Sequence, residues 1–408
     1  MTAVASDLSF ELPESLLRAR RSLKWSRYPD GIIPAWVAEM DFAIARPIQA
    51  SIEKIAVEQD YGYPSRAGFD SFDDAVSLAF AQRMNALYGW DVASEQVLPV
   101  TEIVQAATMA VLAFTEPDEG IVLQLPSYPP FRDLIAKTGR TLITHPFVDT
   151  GSDHVLDQKM LAGFAGTNAR LLLLCNPHNP TGRALSRDEL EAIGAFAVEN
   201  DAIIVSDEIH ADLVFAPAVH VPIATLSPEV AARTVTITSP TKAFNLPGIR
   251  CGVMHFGSPA LLERFYQRFP RSSVAPLSAF GVDAAVAAWR DSDEWLKHAM
   301  DYLDMSRRKV CEAVARDMPG IRCYLPEATY LAWLDCTELE LGEPAFELFY
   351  RASVATSPGE SFGADYGSFV RLNFACSHAI LDKMLDRMSS AVRALAETRP
   401  AKPARMGA

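Results

Sequence analysis

The sequence predicts an α/β protein: a large domain with a mostly parallel sheet covered by helices, followed by a smaller α+β domain. Short apolar, β-branched runs alternate with helical patterns between residues 120 and 256, which is typical of a parallel sheet. From about residue 291 the order changes, because one long helical pattern precedes several short strands. We therefore predict an N-terminal arm (1–45) that packs with the small domain, a large ligand-binding domain (46–290) and a small C-terminal domain (291–408).

The individual elements are predicted from apolar periodicity and from local start signals. Helix starts are marked by Pro47 in a first turn and by the capping box from Ser186 to Glu189. The stretch 34–42 is apolar but irregular, so we expect an extended arm there. Predicted strands span 120–125, 140–146, 169–175, 202–206, 234–238, 252–256, 321–324, 328–334, 352–357 and 369–374. Predicted helices span 47–58, 71–88, 101–114, 131–137, 186–199, 294–318 and 379–397.

Composition argues against several classes of partner. The chain has 408 residues and a net charge of −14, which does not favour nucleic acid or an anionic membrane. No apolar run reaches the roughly 18 residues that a membrane span needs. The first residues carry no basic, apolar secretory signal, and six scattered cysteines show no CxxC spacing. We expect a cytoplasmic protein without a metal site or a disulfide framework.

The stretch around Lys242 is the main candidate for chemistry. It follows the apolar run 234–238, and Lys242 stands among small and apolar neighbours. A partly desolvated lysine favours the neutral amine, which attacks aldehydes. Ser239 and Arg250 could hold a phosphate, since arginine presents a fork of donors to phosphate oxygens. An aldehyde and a phosphate in one ligand indicate pyridoxal phosphate, although taken alone Lys242 could be an ordinary loop lysine.

Other candidate residues fall at the ends of neighbouring predicted strands, where ligands of such sheets bind. Tyr128 offers a flat face for a pyridine ring, and the amide of Asn179 could donate to a phenolate oxygen. Asp207 could pair with a pyridine nitrogen, and His210 follows it closely. Each of these could instead be a cap, a turn residue or an interface aromatic. Their coincidence at consecutive strand ends predicts one shared pocket.

A helix that begins near residue 101 adds a possible seat for the phosphate. Free N–H groups at a helix start bind anions, and here they belong to Glu102 and Ile103. Most helix starts bind nothing, so this signal is weak alone. The carboxylate of Glu102 would have to point away from a phosphate.

Several motifs resemble a known family. They are Asn-Pro-His-Asn-Pro-Thr-Gly at 176–182, Ser-Asp-Glu-Ile-His at 206–210, and Ser-Pro-Thr-Lys-Ala-Phe-Asn-Leu-Pro-Gly-Ile-Arg at 239–250. They are similar to fold-type I pyridoxal phosphate enzymes of the class I/II aminotransferase superfamily. The stretches 36–42, 61–63 and 207–210 look like the branch of cystathionine β-lyase-like C–S lyases. The resemblance implies the seven-stranded type of mostly parallel sheet and pyridoxal 5'-phosphate as the cofactor.

The resemblance also implies a role for each site residue. Lys242 would form the imine with the cofactor and then move the α-proton, while Tyr128 stacks on the ring. Arg371 would clamp the substrate carboxylate, helped by the arm near Ala38. Thr101-Glu102 departs from the glycine- or serine-rich start that is usual before the phosphate helix. The remaining cofactor contacts would come from Asp207 at the pyridine nitrogen, Asn179 and His210 at the phenolate, Ser239, Arg250, Glu102 and Ile103 at the phosphate, and Tyr63 at the phosphate of the neighbouring subunit of a homodimer.

The implied reaction is an α,β-elimination from cystathionine or a related cysteine S-conjugate, which releases a thiol, pyruvate and ammonia. Three alternatives remain. The chain could be an aminotransferase on the same scaffold, or a specialised enzyme for a large cysteine S-conjugate in secondary metabolism. From another class, it could be a cofactor-binding regulator, but we see no helix-turn-helix module and no basic charge.

Overall fold

The centre of the protein is a seven-stranded sheet. A computed structural model describes residues 10–62, 68, 71, 73–274 and 276–398 of the chain. Five neighbouring strands of the sheet run parallel, and only the Gly252–Phe256 strand is antiparallel to both its neighbours. This confirms the predicted mostly parallel sheet. From one edge to the other, the strands are Val97–Val100, Gly252–Phe256, Thr234–Thr238, Ile203–Asp207, Ala169–Cys175, Gly120–Leu125 and Thr141–Pro146.

The register of the parallel strands places their carboxyl ends side by side. Cys175 lies opposite Asp207, and Asp207 lies opposite Ile237. The residues that follow these ends are therefore neighbours in space although they are far apart in sequence. Between residues 171 and 174, four leucines are buried and pack against helices on both faces of the sheet.

The helices cover the sheet and the C-terminal part of the chain. The predicted capping box is present, because the Ser186 side chain accepts from the backbone of Glu189. The Ala279–Asp291 helix was not predicted, since its buried residues cover most of its circumference and its many small alanines make the amphipathic period weak. No helix in the described ranges is long and apolar enough to cross a membrane. The α-helices are Glu14–Ala19, Leu23–Ser26, Arg46–Glu58, Asp74–Tyr88, Ile103–Phe114, Pro129–Lys137, Gln158–Ala162, Arg187–Glu199, Pro228–Ala231, Pro259–Arg268, Ala279–Asp291, Asp293–Asp317, Ala345–Arg351 and His378–Thr398.

A second sheet lies in the C-terminal part of the chain. The predicted strand at 328–334 is observed at Leu331–Asp335, because its first residues pair elsewhere: Ala328 bridges to Val214, and the Thr329 amide donates to Leu213. The division of the chain at residue 291 stays a prediction. In spatial order, the strands of the second sheet are Arg322–Cys323, Leu331–Asp335, Phe369–Asn373 and Ser357–Pro358. Two further pairs of short strands are Ile33–Pro34 with Val354–Ala355, and Val148–Asp149 with His154–Val155.

The N-terminal arm has bends but no helix or strand between residues 35 and 45, and asparagines on both sides hold it. Asn245 donates to the carbonyls of Met40 and Phe42, while Asn373 donates to those of Val37 and Glu39. These bonds satisfy backbone groups that no strand partner would reach. The arm is thereby fixed in place, and its residues Val37 and Ala38 line the cavity described below.

A buried ion pair anchors the same arm. Lys24 Nζ lies 2.8 Å from Asp41 Oδ2, and the two side chains are only 1% and 2% exposed. Lys24 also donates to the Glu39 carbonyl, and the indole of Trp25 donates to Asp41. Because each charge has its hydrogen-bond partners, the pair avoids the cost of an isolated buried ion.

Lys24→Met leaves the Asp41 carboxylate buried without its cation. We expect the free energy of unfolding to fall by about 3 kcal/mol, the cost of breaking a buried pair from one side. Urea unfolding followed by circular dichroism measures this change. The control is Lys54→Met at an exposed position of the Arg46–Glu58 helix, which should change stability by less than about 0.5 kcal/mol. Equal losses in the two variants would contradict the anchoring role of Lys24.

Candidate active site

A cavity of about 280 Å³ opens at the carboxyl ends of the parallel strands. This cavity is lined by all but one of the site residues that were predicted from the sequence. The exception is Tyr63, which lies outside the described residues. These lining residues come from separate segments of the chain, which the topology brings together. The predicted residues that line the cavity are Ala38, Glu102, Ile103, Tyr128, Asn179, Asp207, His210, Ser239, Lys242, Arg250 and Arg371.

Lys242 follows the Thr234–Thr238 strand, in a turn closed by hydrogen bonds from the Phe244 amide to Pro240 and from the Leu246 amide to Thr241. Its Nζ donates to the carbonyl of Ala38 at 2.8 Å. Burial, and secondarily the Arg371 cation, lower the pKa of Lys242 to about 8. The amine therefore loses its proton far more readily than an ordinary lysine does.

Asp207 ends the Ile203–Asp207 strand and faces the cavity, where its Oδ1 accepts from the Ile209 amide at 3.1 Å. Burial raises the pKa of Asp207 to about 7, and neighbouring Glu208 adds to this shift. Glu208 itself points away from the ligand side and contacts His220 at 2.9 Å. Asp207 is a buried carboxyl to which the Ile209 amide donates a hydrogen bond. A cationic N–H group of a ligand in the cavity would stabilise its anionic form.

Arg371 and Asn179 form one hydrogen-bonded unit at the other side of the cavity. Arg371 Nη1 donates to Asn179 Oδ1 at 2.8 Å, which leaves the amide N–H groups of Asn179 as donors. Arg371 Nη2 donates to the Trp36 carbonyl at 2.6 Å and to Ser357 Oγ at 3.0 Å. Arg371 Nε is buried and has no hydrogen-bond partner within the described part of the chain. Burial lowers the pKa of Arg371 to about 10, so it stays a cation near neutral pH.

Two rings border the cavity. His210 is buried, and its Nδ1 finds no partner among the described residues. Burial, together with the cations of Lys242 and Arg371, lowers the pKa of His210 to about 3, so the imidazole is neutral. Tyr128 is the residue before the Pro129–Lys137 helix, and its ring meets Phe131 edge-on with centroids 5.5 Å apart. Burial raises the pKa of Tyr128, so the phenol keeps its proton.

The predicted phosphate end differs in detail from expectation. Glu102 precedes the Ile103–Phe114 helix and forms an ion pair with Arg250, so two predicted phosphate contacts bind each other. The Ser239 hydroxyl contacts the Cys251 carbonyl at 2.5 Å and the Thr241 hydroxyl at 2.7 Å. An incoming phosphate would have to share Arg250 with Glu102, while the first N–H groups of the helix still point outward.

Several residues that line the cavity were not predicted from the sequence. Cys175 is the last residue of its strand, so the same strand-end argument could have identified it. Thr241 precedes Lys242 in the motif 239–250, so its position next to a predicted site residue could have identified it. Apolar lining residues and the partners of Arg371 carry no signal in the sequence, because they depend on packing. The missed lining residues are Val37, Thr101, Val104, Cys175, Ile209, Thr241, Pro247 and Cys251.

Comparison with known proteins decides the family. The model of the family "Aminotransferase class I and II" matches residues 39–388, which is most of the chain. The chain belongs to this family. The resemblance inferred from the motifs around Asn179, Asp207 and Lys242 is therefore confirmed.

Individual relatives narrow the branch. "Cystathionine beta-lyase PatB" of Bacillus subtilis is 30% identical over 94% of this chain and 100% of its own length. The crystal structure of OvoB is 34% identical, with a TM-score of 0.85 over 91% of this chain and 96% of that one. A putative PLP-dependent beta-cystathionase of Corynebacterium diphtheriae is 32% identical, with a TM-score of 0.87 over 94% of this chain and 99% of that one. These similarities confirm the C–S lyase branch and the fold-type I architecture.

The residues of the cavity fit pyridoxal phosphate. Lys242 supplies an amine with a lowered pKa, and Asp207 supplies a buried carboxyl that lacks a cationic partner. The buried Nδ1 of His210 has no hydrogen-bond partner among the described residues, and a polar atom of the ligand could be that partner. The N–H groups at the start of the Ile103–Phe114 helix offer donors for a phosphate. Among the described residues, no group of three His, Cys, Asp or Glu side chains is placed to hold a metal ion.

Proposed function

We propose that this chain is a pyridoxal phosphate-dependent C–S lyase. It cleaves the bond between Cβ and sulfur of cystathionine or a related cysteine S-conjugate, and it releases a thiol, pyruvate and ammonia. The observation that carries the proposal is the single amine of Lys242, which shares one cavity with the Asp207 carboxyl and the Arg371 guanidinium. Similarity over nearly the full length to proteins named cystathionine beta-lyase and beta-cystathionase supports the lyase over other members of the family.

Lys242 is the proposed catalytic base. When bound, pyridoxal phosphate supplies an aldehyde that condenses with amines and a ring that accepts electrons from the substrate Cα. Lys242 Nζ takes the proton from Cα as a neutral amine and can then donate a proton as an ammonium. A pKa of about 8 allows both protonation states near neutral pH. Its bond to the Ala38 carbonyl, at 2.8 Å, aims the amine toward the arm side of the cavity.

Arg371 is the proposed site for the α-carboxylate of the substrate. Its guanidinium is held from three sides, by Asn179, the Trp36 carbonyl and Ser357. A fixed guanidinium binds a carboxylate in one orientation, and this sets the direction of the Cβ–S bond relative to Lys242. Ala38 closes the same side of the cavity.

The other lining residues would hold the cofactor. Asp207 would take the pyridine nitrogen, Tyr128 the ring face, and the amide of Asn179 the phenolate oxygen, with neutral His210 beside it. The phosphate would lie at Ser239, Arg250 and the backbone N–H groups of Glu102 and Ile103. The Glu102 carboxylate opposes that phosphate, and its ion pair with Arg250 reduces the repulsion.

The proposal includes a cytoplasmic homodimer in which Tyr63 reaches the phosphate of the neighbouring subunit. Val57 and Tyr61 precede this residue and are 81% and 65% exposed, which supports a contact surface in this part of the chain. A monomeric mass by light scattering would contradict the dimer.

The test uses L-cystathionine, whose two carbon–sulfur bonds give different products. Cleavage at Cβ of the cysteine half gives homocysteine and pyruvate, whereas cleavage on the other side gives cysteine and 2-oxobutyrate. We expect homocysteine and pyruvate in equal amounts from the purified, cofactor-loaded protein, measured by mass spectrometry. Transfer of the amino group to a 2-oxo acid without thiol release would instead establish the aminotransferase, the alternative that the family name suggests.

A further inference from the structure

A second cavity, which we call the vestibule, adjoins the active-site cavity. Its volume is about 850 Å³, and it lies between the N-terminal arm, the start of the Arg46–Glu58 helix and the turn 245–250. Five lining residues belong to both cavities, so the two are continuous: Val37, Ala38, Lys242, Pro247 and Arg250.

The two cavities differ in size, so they would hold different parts of a substrate. Ligand pockets generally measure about 300–1,000 Å³. The active-site cavity of about 280 Å³ is slightly smaller than this range, and on the proposed function it must hold both the cofactor and the alanyl part of the substrate. A large substituent on sulfur therefore has to extend into the vestibule, past Val37 and Ala38.

The vestibule is cationic although the protein is acidic. Three arginines that play no part in the proposed catalytic site line it, Arg20, Arg21 and Arg46, against one carboxylate, Glu39. The whole chain has 51 acidic and 37 basic residues, so its composition favours the opposite sign. A cavity lined by one sign of charge concentrates ligands of the other sign.

These arginines are available to a ligand. Arg20 and Arg21 form no ion pair with any described residue, and Arg46 has only a loose, exposed pair with Glu53 at 3.5 Å. Burial raises the pKa of Glu39, the one carboxylate of the lining. The rest of the lining is mainly apolar and suits a hydrocarbon stem, with Leu23, Ile44, Ile52, Leu246 and Ile249.

We propose that the vestibule binds the sulfur substituent of the substrate and that Arg20, Arg21 and Arg46 recognise a carboxylate at its far end. This inference rests on the proposed function. It names the substrate class as cysteine S-conjugates with an extended substituent that ends in an anion. The α-carboxylate and the distal carboxylate are then bound at separate places, by Arg371 and by the vestibule arginines.

The test compares two matched conjugates, S-carboxybutyl-L-cysteine and its carboxamide, which differ only in the distal charge. We expect kcat/KM for the carboxylate to exceed that for the carboxamide by about tenfold, mainly through KM, because arginine–carboxylate bonds are charge-assisted. In the triple variant Arg20→Gln, Arg21→Gln, Arg46→Gln, this ratio should fall to about one, and the screening of charges by salt should lower it in the wild type too. Arg393→Gln, at an exposed position of the last helix, is the matched control and should keep the ratio.

Two results would overturn the inference: equal kcat/KM for the two conjugates in the wild type, or a preference that survives in the triple variant. Turnover of S-methyl-L-cysteine, which has no distal group, reports the proposed function separately. Failure to release methanethiol and pyruvate from it would count against the lyase itself. Release of methanethiol and pyruvate from S-methyl-L-cysteine, together with equal kcat/KM for the two matched conjugates, would support the lyase activity and contradict only the role of the vestibule.

Discussion

Lys242→Met is expected to abolish thiol release and at the same time to make the cofactor-free protein more stable. The loss of activity follows from the loss of the one lysine that the described residues place in the cavity, and positioned acid–base groups contribute about 10²–10⁴-fold. Lys242→Arg should be similarly inactive, because a guanidinium does not lose its proton in proteins. Pyruvate release from S-methyl-L-cysteine measures the effect.

The gain in stability has a definite dependence on pH. The pKa of Lys242 is about 8 in the folded chain against an ordinary value of 10.5, so folding disfavours the charged form. This cost is present in full below pH 8, shrinks as the pH rises from 8 to 10.5, and is absent above that range. Since the side chain is only half-buried and bonds to the Ala38 carbonyl, we expect the cost to be about 1–2 kcal/mol.

Urea unfolding of cofactor-free wild type and Lys242→Met at pH 7 and pH 10 measures the difference. The variant should be more stable at pH 7, and its advantage should be smaller at pH 10. Lys54→Met, at an exposed position, should show neither effect. Residual thiol release at more than about a hundredth of the wild-type rate would reject Lys242 as the base, and a destabilised variant at pH 7 would contradict the pKa argument.

Five of the predicted lining residues were placed from strand ends, which depend only on local signals: Tyr128, Asn179, Asp207, His210 and Lys242. Apolar runs mark the strands, and parallel strands bring the residues after them together. Thus Asp207 and Lys242, which lie 35 positions apart in sequence, line one cavity. Their roles in catalysis stay predictions, and the substitutions of Lys242 test the role of that residue.

Other features of the site could not be predicted, because they depend on contacts between distant segments. The ion pair of Glu102 with Arg250 joins a helix start to a turn some 150 residues away, and nothing local to either residue indicates it. The same holds for the bonds of Arg371 to the Trp36 carbonyl and to Ser357. The Ala279–Asp291 helix was missed for a related reason, since burial on most sides weakens the periodic pattern on which the prediction depends.

Arg371→Lys is expected to weaken the binding of amino acids through their carboxylate. Lysine keeps the charge but cannot bind Asn179, the Trp36 carbonyl, Ser357 and a bidentate carboxylate together. We expect the loss of this fixed, desolvated bidentate contact to cost at least about 2 kcal/mol, so the inhibition constant of L-alanine should rise at least about thirtyfold. L-Alaninol, which lacks the carboxylate, should inhibit wild type and variant about equally.

Ser357→Ala is the graded control for this site, because it removes one neutral partner of Arg371 and leaves the guanidinium in place. Its effect on L-alanine should be only a few-fold, in line with the about 0.5–1.5 kcal/mol of an ordinary hydrogen bond. If Arg371→Lys raised both inhibition constants by the same factor, Arg371 would be a structural residue that holds Asn179 and the arm. A selective effect on L-alanine, with unchanged thermal unfolding, would instead place the α-carboxylate at Arg371 and so direct the Cβ–S bond toward the vestibule.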